Sequence, residues 1–144
     1  MVRLFKALAD DKFRQIPLGG GVYFVRVDKS FKPHFINPGT GGYFRGRDPD
    51  VSVKTLNDNW VDGAKILYIG KSNDLRQRIR QYVAFGSGRP APHRGGRYIW
   101  QIKDAMNILS VYWVDDPNPR GREQTEIKKF KNKYGRRPFA NLLG

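Results

Sequence analysis

The stretch ILYIGKSNDLRQRIRQYV, residues 66–83, changes its period halfway along. ILYIG is a short apolar run of β-branched and aromatic residues closed by Gly70, which predicts a strand. After it, Ser72, Asn73 and Asp74 supply candidate helix caps. Leu75, Ile79, Tyr82 and Val83 then fall at i, i+4, i+7 and i+8, the stripe of an amphipathic helix. Packing accounts for that stripe, but not for a tyrosine inside the strand, a lysine just past its glycine, or Arg78 at the edge of the stripe.

Working outward, GGGVYFVRV from Gly19 predicts a glycine turn and a strand over 22–27. Residues 3–15 place Leu4, Leu8 and Phe13 at roughly helical spacing, a short helix ending before Ile16 and Pro17. Residues 28–63 are rich in proline and glycine. Only VSVKTL alternates like a strand, so this segment reads as a long surface excursion with little regular structure. FGSGRPAPHRGGR (85–97) reads as a loop, YIWQIKDAM as a further helix, and ILSVYWV (108–114) as a third strand. A final helix over 120–134 carries Ile127, Phe130 and Tyr134 on one face and stops at Gly135. The resulting fold class is α/β (α+β): a single domain over 1–144 with a small three-stranded, mostly antiparallel sheet flanked by helices. Residues 1–18 form an N-terminal helical extension and 28–63 an insertion between the first two core strands.

Twenty-seven Lys and Arg against thirteen Asp and Glu leave a formal charge of +14, which points to polyanionic partners. With 13% aromatic and 39% hydrophobic residues, that charge sits on a folded scaffold, and a nucleic-acid protein is the leading class. The absence of cysteine excludes disulfides, thiolate zinc sites and cysteine nucleophiles. Two isolated histidines, His34 and His93, make no zinc site. GTGGYFRGR and HRGGR lack the lysine and spacing of a phosphate-cradling P-loop. No window is apolar enough for a signal peptide or a membrane span, so a cytoplasmic protein is expected.

Two tyrosine-bearing strands, Gly21-Val22-Tyr23 and Tyr68-Ile69-Gly70, together resemble the GIY-YIG nuclease family. That family includes homing endonucleases, the excision-repair nuclease subunit and some restriction enzymes. Its further features fall in order on Lys71 after the glycine, Arg78 and Tyr82 on the next helix, Glu123 on a late helix and Asn141 near the end. Glu126 rivals Glu123, but family members carry an isoleucine four residues after the glutamate, and Ile127 selects Glu123. Pro138 before Asn141 also agrees. The segment 28–63 departs from the family's short turn, a departure that bears on substrate more than on activity.

The resemblance implies a metal-dependent endonuclease that hydrolyses phosphodiester bonds of DNA, duplex DNA first. It is expected to be a stand-alone restriction, phage or mobile-element enzyme. Glu123 would hold one Mg²⁺ or Mn²⁺, and Arg78 would grip the scissile phosphate. Tyr23 is the first choice of general base and Tyr68 the second. A phenol with a pKa of about 10 is a poor base at neutrality, so Lys71 is expected to lower it. Tyr82 would be a hydrogen-bonding partner and Asn141 an orienting residue. Arg45, Arg47, Arg76, Arg80, Arg89, His93, Arg94 and Arg97 are expected to contact the nucleic acid, and the run KKFKNKYGRR to double as a phosphate track. Double-strand cleavage by one such site would call for a homodimer or higher oligomer. The rival readings are a catalytically silent nucleic-acid-binding module and a basic RNA-binding protein.

Overall fold

The computed structural model describes residues 2–28, 31–43, 46–90 and 95–142. Of the expected site residues, Arg45, His93 and Arg94 lie outside these. Among the described residues the order is β1 (Arg3–Leu4), α1 (Phe5–Asp10), β2 (Gly21–Arg26), α2 (Val53–Asn59), β3 (Ile66–Ser72) and α3 (Leu75–Gly86). A 3₁₀ turn (Arg97–Gln101), α4 (Ala105–Ile108), β4 (Ser110–Asp115) and α5 (Pro119–Tyr134) complete it. The strands form one antiparallel sheet in the order β1-β4-β2-β3. The fourth strand, beyond the three expected, is the two-residue edge β1, too short to show a period.

β2 is central, and Gly21 to Val25 are buried without interruption, as a strand covered on both faces requires. On one face Tyr23 and Val25 join Phe5, Leu8, Leu75, Ile79, Tyr82 and Trp100 in the main core. On the other, Val22, Phe24 and Ile69 meet Ile127 of α5. The register shifts between Val25 and Arg26, where Tyr68 pairs with Val25 but Ile66 pairs with Arg26; Leu67 is therefore the extra residue of a bulge.

Other sequence expectations need correction. The helix over 3–15 shrinks to α1. Leu4 is 43% exposed and Phe5 takes its place in the core, while Lys12 and Phe13 adopt positive φ and turn the chain toward Ile16. VSVKTL is not a strand: the Ser52 hydroxyl caps α2 by accepting from the Thr55 amide, and only Leu56 of that helix is buried. The insertion is also less superficial than expected, because Phe31, Phe35, Val51 and Trp60 pack against the main core. YIWQIKDAM splits into the 3₁₀ turn and α4, separated by Asp104 at φ 60°. The final helix stops at Gly135 as expected, with φ 75° in the left-handed region.

Candidate active site

Tyr23 and Tyr68 come from adjacent strands and Tyr82 from α3, and the three rings meet in one cluster. Their centroids lie 5.9 Å (Tyr23 to Tyr68), 6.3 Å (Tyr23 to Tyr82) and 5.6 Å (Tyr68 to Tyr82) apart. Tyr23 lies opposite Gly70 in the sheet register. A Cβ at Gly70 would run into the Tyr23 ring and stand 2.6 Å from its hydroxyl, so the glycine closing YIG is where that phenol lies across the neighbouring strand. Asp74 caps α3 by accepting from the Gln77 amide, and one turn on, half-buried Arg78 hydrogen-bonds Tyr23 and acts electrostatically on all three phenols.

Tyr68 also lines a cleft of about 480 Å³ with Gly95, Arg97, Glu123 and Asn141. Gly95 and Gly96, just before the 3₁₀ turn, lie against the Tyr68 and Tyr82 hydroxyl end of the site. Tyr82 donates a 2.6 Å hydrogen bond to the Gly96 carbonyl. Gly96 sits at φ 76°, and a Cβ there would stand 2.7 Å from the Tyr82 hydroxyl and 3.0 Å from the Tyr68 ring. The contribution of Gly95 and Gly96 through their backbone was missed in the sequence; the paired glycines before Arg97 were the available signal.

Asn141 is buried and works on β3 rather than on the cleft alone. Its Oδ1 accepts from the Ile69 amide at 2.9 Å and its Nδ2 donates to the Ile69 carbonyl at 3.0 Å. The Ala140 amide adds a bond to the Leu67 carbonyl at 2.8 Å. β3 is an edge strand, and the side-chain amide pairs with it as a neighbouring peptide would.

The two glutamates of α5 part company. Glu123 faces the cleft with Tyr68, whereas Glu126, three residues on, borders a neighbouring cleft and is ion-paired with Arg122 at 3.0 Å and Lys129 at 3.6 Å. Desolvation raises the Glu123 carboxyl above its ordinary range, and Lys71 opposes that shift. Burial raises all three phenols. Tyr23 and Tyr82 stand well above 10, and Tyr68 is pushed up to about 12, with its hydrogen bond from Tyr23 and the charge of Arg78 pulling it back. Arg78, reaching in from α3, opposes the raised Tyr23 and Tyr68, and exposed Lys71 opposes the raised Glu123.

Of the remaining basic candidates among the described residues, Arg97 alone lines the cleft. Arg47 and Arg89 are exposed, and exposed Arg80 lies over the Phe13 ring at 5.9 Å from its centroid. Arg76 donates to the carbonyls of Ile16 at 2.8 Å and Arg14 at 3.0 Å, so part of its guanidinium ties α3 to the N-terminal segment. No group of three or more His, Cys, Asp or Glu side chains able to hold a metal occurs among the described residues. Nor is any helix among them long and apolar enough to cross a membrane.

Among curated proteins the chain is similar to UvrABC system protein C of Nautilia profundicola, with 30% identity over 73 residues, covering 51% of this chain. The aligned part spans 12% of that protein's length. No family model and no solved structure matches. The likeness is partial and distant, and it suggests the GIY-YIG family.

Proposed function

We propose that this protein is a metal-dependent endonuclease of the GIY-YIG type that hydrolyses phosphodiester bonds of DNA in the cleft between β3, α5 and the turn at 95–97. The partial likeness to UvrABC system protein C supports a nuclease in general terms. The observation that carries the reading is the position of Glu123. A carboxylate 55 residues along the chain from Tyr68 shares its cleft and acts on its ionisation, while Glu126, less than one turn further along the same helix, does not line it.

A single half-buried carboxylate whose desolvation penalises its charge is a fitting ligand for one Mg²⁺ or Mn²⁺, an ion that ordinarily takes one or two carboxylates and completes its shell with water and phosphate. Glu123 would hold it, and when bound it neutralises charge on the phosphate. Arg78 offers its planar fork to the same phosphate and already opposes the raised pKa of Tyr68. Tyr68 is the favoured base over Tyr23 because it borders the cleft, whereas Tyr23 has no exposed surface. The hydrogen bond between them raises Tyr23 and lowers Tyr68, so Tyr68 is the phenol that ionises first. Tyr68 in its ionised form, its charge held by the hydrogen bond that Tyr23 donates, takes the proton of the attacking water and becomes neutral as the charge passes to the attacking oxygen, while Tyr82 fixes the glycine turn above it. Arg97 at the cleft mouth adds a second guanidinium for the phosphate flanking the scissile one.

Incubation with supercoiled plasmid tests this. Mg²⁺ or Mn²⁺ should convert it first to open circles, EDTA should abolish conversion, and Glu123→Ala should do the same. Tyr68→Phe should slow it by roughly 10²–10⁴-fold. No nicking in either metal would refute the nuclease, and undiminished nicking by Glu123→Ala would refute the metal ligand.

A further inference from the structure

The helix α5 is a ridge between two clefts, and the nuclease reading uses one of them. The second, of about 530 Å³, lies on its other side against the β2 and β4 end of the sheet, and is walled by Arg26, Lys65, Tyr112, Lys129, Lys133 and Tyr134. The one carboxylate lining it is Glu126, already held by Arg122 and Lys129 at 3.0 and 3.6 Å. Lys129 and, from outside the cleft, Arg122 thus compensate that anion, and Arg26, Lys65 and Lys133 add three further cations. The walls are also aromatic: Tyr112 stacks on Phe24 at 4.5 Å, with the Arg26 guanidinium 5.5 Å from its ring centroid, and Lys133 lies 5.2 Å from the centroid of Tyr134. Beyond Arg26 and Lys65 the surface continues into a further depression lined by Val2, Asp28 and Ile108.

We propose that this second cleft binds single-stranded DNA, its phosphates on Arg26, Lys65, Lys129 and Lys133 and a base against Tyr112 or Tyr134. Alternating cations and aromatic rings are what a strand with exposed bases recognises, since phosphates need charge and unstacked bases need a π face. Duplex DNA presents its phosphates but hides its base faces, so it could use the cations of this cleft but not its rings. The proposal does not depend on hydrolysis at the first cleft.

Fluorescence anisotropy with labelled oligothymidylate of twelve nucleotides, in EDTA so that nothing is cut, tests it. The double variant Lys65→Ala/Lys133→Ala should bind roughly tenfold more weakly. Its log-affinity against log-salt slope should fall by about 1.4, two contacts at about 0.7 each. Lys32→Ala/Lys103→Ala removes the same charge from exposed sites outside the cleft, and should change affinity by less than about twofold. Equal losses in the two pairs would overturn the proposal in favour of diffuse attraction. So would a loss confined to duplex of the same length, or equally effective competition by polyglutamate. Photocrosslinking of wild-type protein to a 5-bromodeoxyuridine oligonucleotide avoids reliance on variants: adducts at Tyr112 or Tyr134 support the site, and adducts only elsewhere overturn it.

Discussion

Glu123 and Glu126 differ by three positions on one helix, and that small rotation separates two chemistries. Glu126 reaches Arg122 one turn back and becomes part of an ion-pair chain. Glu123 loses hydration in the cleft instead, and Lys71 only partly offsets the loss, so its carboxyl is raised above the ordinary value of 4.5. A raised carboxyl pKa means that the folded protein binds the proton more tightly than the unfolded chain does. The group therefore favours folding fully below its unfolded pKa and loses that contribution as pH rises through its folded pKa. In EDTA, Glu123→Gln should accordingly raise the Tm at pH 7 and leave it nearly unchanged at about pH 3.5, where the carboxyl is mostly protonated in both states. A thermal melt at the two pH values checks this; an equal effect at both would mean that charge is not the cause. The phenols follow the same logic with a different consequence. Because burial pushes Tyr68 up to about 12 and holds Tyr23 well above 10, the ionised fraction of the base rises with pH through neutrality. Cleavage under kcat/KM conditions should therefore climb from pH 6 to 8.5 in constant metal, and a flat profile would exclude a phenol as base.

At the scale of elements, β3 is an edge strand that must present a tyrosine to the cleft without pairing to another chain. The bulge at Leu67 and the segment ending in Asn141 deal with this together, the first by re-aiming the strand and the second by occupying the outward peptide of Ile69. Asn141→Ala removes both bonds and should cost about 2 kcal/mol in urea denaturation with the m-value unchanged. Asn141→Asp keeps the acceptor for the Ile69 amide but sets a negative charge against the Ile69 carbonyl. It should be more destabilising than alanine at pH 7 and should recover at pH 3, where a protonated carboxyl can donate again. The insertion is fastened by a different device. Buried Gln101 accepts from the Val51 amide at 2.8 Å and donates to the carbonyls of Val51 at 2.8 Å and Ile36 at 3.1 Å, tying residues 36–51 to the 3₁₀ turn. Nothing in a pattern of prolines and glycines announces such a fastening, because it depends on one polar side chain placed in a core by elements far apart in sequence.

For the whole molecule, a formal charge of +14 spread over clefts and loops makes any polyanion contact ionic in character. With four or more phosphates neutralised, affinity for duplex DNA should fall roughly 100-fold or more between about 50 and about 200 mM salt. A titration series in monovalent salt reads that slope directly. A slope near zero would mean that the charge serves solubility rather than binding.

The strands at 21–26 and 66–72, the helices after Asp74 and Asn118, and the antiparallel pairing of the two tyrosine strands could be read from the chain. Local causes set them: period, caps and the glycine stop at Gly135, whereas β3 runs on past the expected stop at Gly70 to Ser72 because Lys71 and Ser72 still pair with Val22 and Gly21. VSVKTL could not be read, because alternation over a few residues competes with a serine cap, and the helix that results buries a single leucine. Neither could the edge β1, whose two residues acquire a partner only once β4 is in place. The order Tyr23, Tyr68, Arg78, Glu123 and Asn141 is likewise a property of the sequence. Their electrostatics are not: burial and contact across elements set Arg78 against the raised phenols and Lys71 against the raised Glu123, and turn Asn141 toward the backbone of β3. Sequence determines what can be charged and where the chain bends, whereas desolvation and proximity, which set how those charges act, exist only once the chain is packed.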